Sequence, residues 1–214
     1  MNVIITGVTG MVGEGLLLEC LQNSKITKIL SVSRKPYGID NAKVRELIVP
    51  DFTRLADYKT DISGYDACFF GAGISSIGMS EEKFTAVTYQ TTLEFAKALV
   101  LMNPGMCFCY VSGSGTNRNG SLMWQKVKGR TEDDLASLGF RCEYNLRPGV
   151  MLPAPGQKNW KWMYKALAQA IRVVAPKSVL NLSEVARAMI HVSETGYPII
   201  NLEVSDIRKA AKSA

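Results

Sequence analysis

Short apolar runs alternate with amphipathic stretches along the chain, and turn-forming residues separate them. The runs predict strands at Asn2–Thr6, Lys28–Ser33, Glu46–Pro50, Ala67–Phe70, Met106–Val111 and Arg141–Leu146, with a late one at Pro198–Val204. Several are continuous in hydrophobicity rather than alternating, as in Val3-Ile4-Ile5 and Ala67-Cys68-Phe69-Phe70. That is the pattern of strands covered by helices on both faces. Helical spacing is predicted over Met11–Gln22, Glu81–Leu101, Leu122–Ser137, Asn159–Val174 and Glu184–Ser193. In the first of these, Leu16, Leu17 and Leu21 share a stripe with Cys20. Ser80 and Ser183 stand as N-caps, and Glu81 and Glu82 complement the positive helix end. Strands alternating with helices specify βαβ units and an α/β, Rossmann-type, doubly wound and mostly parallel sheet.

At 214 residues the chain suits a single domain, with residues 1–150 as a nucleotide-binding core and 151–214 as a short C-terminal extension facing the substrate. Apolar residues make up 47% and charged ones 21%, which excludes a disordered or fibrous chain. The longest apolar stretch, Phe95 to Val111, is broken by Lys97 and by Asn103-Pro104-Gly105, so no integral membrane association is expected. The N-terminus lacks the basic and apolar regions of a secretory leader. A soluble, cytoplasmic protein is the expectation. The five cysteines are scattered without a CxxC pair and read as small buried hydrophobes, with Cys107 and Cys109 on one strand face. With His191 as the single histidine, no metal site is expected. Residues 105–214 carry 15 Lys/Arg against 8 Asp/Glu, but without a run of five or six, so a solvated surface and no nucleic-acid partner are expected.

The sharpest chemical signal is Thr6-Gly7-Val8-Thr9-Gly10-Met11-Val12-Gly13, between the first strand and the first helix. Gly7 permits a tight turn, Gly10 lets backbone N–H groups approach a pyrophosphate, and Gly13 allows close helix–strand packing. The helix N-terminus adds partial positive charge for the phosphates, and Thr9, Met11 and Val12 fall within the same contact zone. The second strand ends Ser33-Arg34-Lys35, where an NAD-selective site places an acidic residue for the ribose 2′-hydroxyl. A guanidinium there can clamp a 2′-phosphate, which predicts NADP in preference to NAD; the alternative is that both cations are merely solvated.

The GxxGxxG spacing after Thr6 resembles the short-chain dehydrogenase/reductase superfamily, in particular its extended and atypical, NAD-dependent epimerase/dehydratase-like members. The resemblance implies that Asp51 hydrogen-bonds the adenine, that Phe52 covers the ring, and that Gly71-Ala72-Gly73 passes under the adenosine ribose. It implies a catalytic hydroxyl at the end of the fifth strand, which Ser112 matches, and a Tyr-x-x-x-Lys helix. Lys128 matches that lysine as ribose ligand, while Trp124 stands at the tyrosine position. Indole N–H cannot act as a general acid. The stretch Val127-Lys128-Gly129-Arg130-Thr131-Glu132 after an aromatic is similar to the group related to the Tat-interacting protein and to NADH-flavin-reductase-like proteins. Arg147-Pro148-Gly149-Val150 resembles the family segment beneath the nicotinamide. Three activities compete. They are an NADPH-dependent oxidoreductase acting on a small carbonyl, quinone or flavin; a non-catalytic NADPH-sensing or partner-binding protein; and a nucleotide-sugar epimerase. Two long helices beside the sheet suit a homo-oligomer. The segment Trp160-Lys161-Trp162-Met163-Tyr164-Lys165 reads as an apolar stripe with snorkelling lysines, a lid, or a surface contact.

Overall fold

The computed structural model describes residues 1–159 and 176–213. The helix expected at Asn159–Val174 lies, from Trp160 on, outside the described residues, as does the aromatic–lysine segment. Strands β1 (Asn2–Thr6), β2 (Lys28–Ser33), β3 (Val44–Ile48), β4 (Ala67–Phe70), β5 (Cys107–Val111), β6 (Cys142–Arg147) and β9 (Asn201–Glu203) form one parallel sheet in the order β3-β2-β1-β4-β5-β6-β9. A second parallel pair joins β7 (Val150–Leu152) to β8 (Val179–Asn181). The strand order reverses between β1 and β4, so a crevice opens beyond their C-terminal ends, where ligands of open α/β sheets bind.

Helices cover both faces, which is why the central strands β1 and β4 are mostly apolar. Val3, Ile5, Phe69 and Cys109 point to one side, beneath α1 (Met11–Gln22), α6 (Leu182–Thr195) and α7 (Val204–Lys212). Ile4, Leu30, Phe70 and Phe108 point to the other, beneath α4 (Thr91–Met102) and beside α5 (Met123–Ala136). Cys20, Cys68, Cys107 and Cys109 are fully buried. No described helix is long and apolar enough to cross a membrane.

Departures from the sequence reading have local causes. β3 starts at Val44, paired with Ile29, and stops at Ile48 because Pro50 has no N–H for the ladder. Between β3 and β4 a 3-10 turn (Phe52–Tyr58) leads into the short α2 (Lys59–Ile62). The helix expected over Glu81–Leu101 is continuous but built in three parts, α3 (Glu81–Thr85), a π-helical turn (Ala86–Gln90) and α4. Ser80 caps it as expected, accepting from the Lys83 N–H at 3.4 Å. α6 is capped by Asn181 rather than Ser183, with the Asn181 N–H donating to Glu184 Oε2 at 2.8 Å.

On β6, buried Glu143 and Asn145 and half-buried Arg147 alternate as a polar row. Asn145 Nδ2 donates to Glu143 Oε2 at 3.3 Å, and Glu143 Oε1 has no partner among the described residues. Burial, with the nearby Glu132 carboxylate adding to it, pushes the Glu143 carboxyl up to about 8. Its folded value lies above the unfolded one, so its contribution to stability is full below about pH 4.5 and declines as pH rises towards 8. Glu143→Gln is therefore expected to match the parent protein near pH 4.5 and to exceed it by roughly 4 kcal/mol near pH 8. Urea denaturation at the two pH values checks this; a gap that does not widen with pH means that Glu143 is ionised in the fold.

Candidate functional site

The β1–α1 turn is held by contacts that only glycine allows. Gly7 has a φ of +76°, and a Cβ there would lie 2.8 Å from the backbone of Gly71 and Ala72. The Ala72 N–H donates to Thr6 Oγ1 at 3.0 Å, which draws the end of β4 alongside the turn. A Cβ at Gly13 would lie 2.2 Å from the Gly7 carbonyl carbon. Gly10 is different, because it is exposed and nothing lies closer than 3.4 Å to its Cβ position. Gly10 brings no side chain to cap α1, so the first-turn amides, those of half-buried Met11 and Val12 among them, face the crevice without an intrahelical partner. Thr9 stands exposed beside them.

At the end of β2, Ser33 is buried and its hydroxyl donates to the Lys35 carbonyl at 2.6 Å. Arg34 and Lys35 are exposed, and among the described residues neither side chain has an ion pair. Beyond β3, Asp51 Oδ1 accepts from the Thr53 hydroxyl at 2.7 Å and the Thr53 N–H at 2.9 Å, which hold its carboxyl below the usual range. Phe52 departs from the expected role. Its ring is buried against Phe95, with centroids 5.1 Å apart, and so is not free to lie over an adenine. Gly71 and Ala72 are half-buried against the β1 turn, while Gly73 is exposed with open space around it.

A cleft of about 340 Å³ opens beyond β4, β5 and β6. Ser114, Trp124, Lys128, Pro148 and Gly149 line it, together with Ile74 and Phe84. Trp124 and Lys128 sit one turn apart on α5, so they share a face. Lys128 Nζ donates to the Ser112 carbonyl at 2.9 Å and stands 5.7 Å from the Tyr110 ring centre. Burial lowers its ammonium to about 8, against a smaller opposing pull from Glu132.

Ser112 is placed differently from the sequence expectation. Strand alternation puts it on the covered face with Phe108 and Tyr110, and it is only 5% exposed. Its hydroxyl pairs with Thr116 Oγ1 at 3.1 Å, while Thr116 donates to the Gly113 carbonyl at 2.8 Å. Ser114 presents an exposed hydroxyl in the cleft, as Ser75 does, and its N–H donates to the Pro148 carbonyl at 2.9 Å. The sequence Ser112-Gly113-Ser114 offers both hydroxyls; β5 ends at Val111, and the turn that follows buries Ser112 and leaves Ser114 exposed. Arg147 does not face a ligand. Its guanidinium forks onto Glu132, with Nε 3.0 Å from Oε1, and reaches Glu203 at 3.1 Å. Gly149 is needed where the chain passes Ser178, whose carbonyl oxygen would lie 2.4 Å from a Cβ, and Val150 then opens β7.

No protein-family model matches the chain. Among curated proteins it is 31% identical over 156 residues to the mitochondrial protein FMP52 of Debaryomyces hansenii, a match covering 71% of this chain and 67% of that one. The chain belongs to the FMP52 family. The FMP52 relative from Aspergillus fumigatus is 27% identical over 183 residues, covering 82% of this chain and 76% of the relative. These FMP52 relatives are named as mitochondrial, which overturns the expectation of a cytoplasmic protein. Screening for a secretory leader tests export alone, whereas mitochondrial addresses are read from basic amphipathic segments.

Among solved structures, the FMP52-family chain superposes on the ADP-L-glycero-D-manno-heptose-6-epimerase of Helicobacter pylori with a TM-score of 0.68 at 16% identity, covering 99% of this chain and 80% of that one. A short-chain dehydrogenase/reductase of Saccharomyces cerevisiae gives 0.67 at 12%, covering 96% and 97%. The UDP-glucuronic acid 4-epimerase of Bacillus cereus, solved in complex with NAD, gives 0.67 at 15%, covering 95% and 76%. The fold is that of the short-chain dehydrogenase/reductase and epimerase proteins.

Proposed function

We propose that this chain binds NADP(H) across the β1–β4 crevice and acts as an oxidoreductase on a small carbonyl, quinone or flavin. The observation that carries this reading is the pair of unpartnered cations, Arg34 and Lys35, standing exposed at the end of β2 beside the uncapped N-terminus of α1. Amides and helix dipole suit a pyrophosphate, and a guanidinium suits a 2′-phosphate. The NAD complex of the B. cereus protein, which shares the fold, supports a nicotinamide dinucleotide as the ligand class.

When bound, such a cofactor supplies or accepts a hydride. The chain's own residues divide the remaining work. Lys128, largely protonated at pH 7, would hold ribose hydroxyls at the cleft, and with its ammonium lowered to about 8 it can hold or yield a proton. Ser114 offers a hydroxyl to a carbonyl oxygen. Trp124 donates a hydrogen bond but moves no proton. Ile74, Phe84 and Pro148 give the cleft apolar walls, and Lys128 is the one charged side chain among the described residues lining it, so a diphosphate-bearing sugar meets little counter-charge there. Trp124 also supports a second reading, dinucleotide binding without turnover.

A thermal-shift titration with NADPH, NADP, NADH and NAD tests the reading. Ligand at a hundred times its Kd stabilises by about 2.7 kcal/mol, so a selective rise in Tm with the phosphorylated pair is expected. No rise with any of the four defeats it. Arg34→Ala is expected to weaken NADPH at least tenfold while leaving NADH within about twofold, on the scale of one charge-assisted hydrogen bond. Equal losses would show that Arg34 does not read the 2′-phosphate. Gly10→Val should weaken both dinucleotides, because it covers the amides that they share.

A further inference from the structure

Glu14 lies one residue beyond Gly13 in the opening turns of α1, and it is fully buried. A solvated glutamate would complement the helix dipole equally well, so its burial has another source. Three separate donors converge on the carboxylate. The Tyr37 hydroxyl donates to Oε1 at 2.8 Å, the Lys158 N–H to Oε1 at 2.9 Å, and the Asn159 N–H to Oε2 at 2.7 Å. Gln157 adds a fourth tie to the same turn, with Nε2 donating to the Met11 carbonyl at 2.6 Å.

Tyr37 stands two residues past Lys35, in the connection from β2 to β3. Its own N–H and those of Gly38 and Ile39 converge on the Glu46 carboxylate of β3, at 3.0, 2.8 and 3.2 Å. On the other side of the cations, Ser33 grips the Lys35 carbonyl. The backbone carrying Arg34 and Lys35 is thus tethered before and after, while the two side chains stay free. The tether at Tyr37 runs directly to the helix whose first-turn amides face the crevice.

We propose that the Tyr37–Glu14 hydrogen bond is a specificity-determining brace, fixing Arg34 and Lys35 relative to the Met11 and Val12 amides so that the site favours a 2′-phosphorylated dinucleotide. This rests on the dinucleotide reading given under Proposed function. A ligand spanning both places meets cations whose backbone is already set, which lowers the ordering cost of binding. An unphosphorylated dinucleotide makes no use of the cations and gains nothing from the brace. Burial, reinforced by Glu14, pushes the Tyr37 phenol up to about 12, so it remains a donor across the physiological range.

Tyr37→Phe removes the hydroxyl alone and is the primary variant. Binding of NADPH and NADH is titrated, with adenosine 2′,5′-bisphosphate and 5′-AMP as fragment probes, and amide hydrogen exchange of residues 34–39 is followed without ligand. The expected result is about a tenfold loss for NADPH and the bisphosphate, less than twofold for NADH and 5′-AMP, and faster exchange at Arg34 and Lys35. Equal losses across the probes, or none, overturn the brace as a selectivity device, whatever the change in Tm. Unchanged exchange overturns it independently of any ligand. Glu14→Gln keeps the volume but sets an amide against three donors, and it is expected to shift selectivity in the same direction. If the parent protein binds none of the probes, the dinucleotide reading fails and takes the selectivity proposal with it; faster exchange in Tyr37→Phe then shows a tether of purely structural value.

Discussion

Gly13→Ala is expected to cost the protein about 3 kcal/mol or more, lowering Tm by roughly 6–12 °C and reducing folded yield. The new methyl carbon would sit 2.2 Å from the Gly7 carbonyl carbon, 2.3 Å from its oxygen and 2.5 Å from the Thr6 oxygen. All three are backbone atoms at the end of β1, the strand flanked by β2 and β4 in mid-sheet, so they cannot turn aside as a flexible side chain would. α1 would have to lift from the sheet, opening the packing of Leu16, Leu17 and Cys20. Gly10→Ala is the matched control. Its methyl meets nothing closer than 3.4 Å, so stability should change by under about 1 kcal/mol, and the effect should fall on dinucleotide affinity. Thermal and urea denaturation of the two variants side by side provide the check. Similar stabilities would mean that the β1–α1 approach is looser than described.

The second large effect is expected at Arg147. Replacing it with Met leaves Glu132, 3% exposed, as a buried carboxylate without its forked partner, and losses of about 3–5 kcal/mol are typical of such half-broken pairs. Glu203 contributes less, because its side chain is 46% exposed. Exchanging both partners for apolar residues, Arg147→Met with Glu132→Leu, should recover much of that loss, since no buried charge remains. A double-mutant cycle by urea denaturation measures the coupling directly. The result also decides what the Arg147-Pro148-Gly149 segment does. A stable Arg147→Met protein with impaired ligand binding would place the guanidinium in the site instead of beneath it.

Much of the architecture could be read from local pattern. β1, β2, β4 and α1 have the bounds that their apolar runs predict, because each run is long, unbroken and flanked by turn residues. β7 and β8 were invisible, being three-residue strands that exist only by pairing with each other across a long separation in sequence. The π-helical turn at Ala86–Gln90 has no composition signal; Thr91 Oγ1 donating to the Ala86 carbonyl at 2.9 Å belongs to it. Within the candidate site, the glycine turn and the exposed Arg34 and Lys35 follow from spacing, as does the Trp124–Lys128 face. Ser112 and Ser114 could not be told apart by residue type or by strand alternation, which puts residues two apart on one face; the turn after β5 is what separates them. Phe52 was assigned to a ligand on family grounds, while its neighbours in space, Phe95 above all, make it a core residue. Nothing in the sequence singles out Glu14, because its three donors come from distant parts of the chain.

The face of the sheet under α6 and α7 sets an order on biosynthesis. β9 pairs with β6, and Val185, Met189 and Ile207 close over Val3, Ile5 and Phe69, so β1 shares its core with elements that follow it far along the chain. While the ribosome is still adding α6, the apolar underside of α1 has nothing above it but solvent or a chaperone. The glycine turn, the amides beside it and the carboxylate of Glu14 would all exist as sequence, with no packed helix to hold them in place. A nascent chain can thus display the whole glycine motif before the crevice beside it has taken shape, and that crevice becomes a late feature, gated by the arrival of α6 and α7.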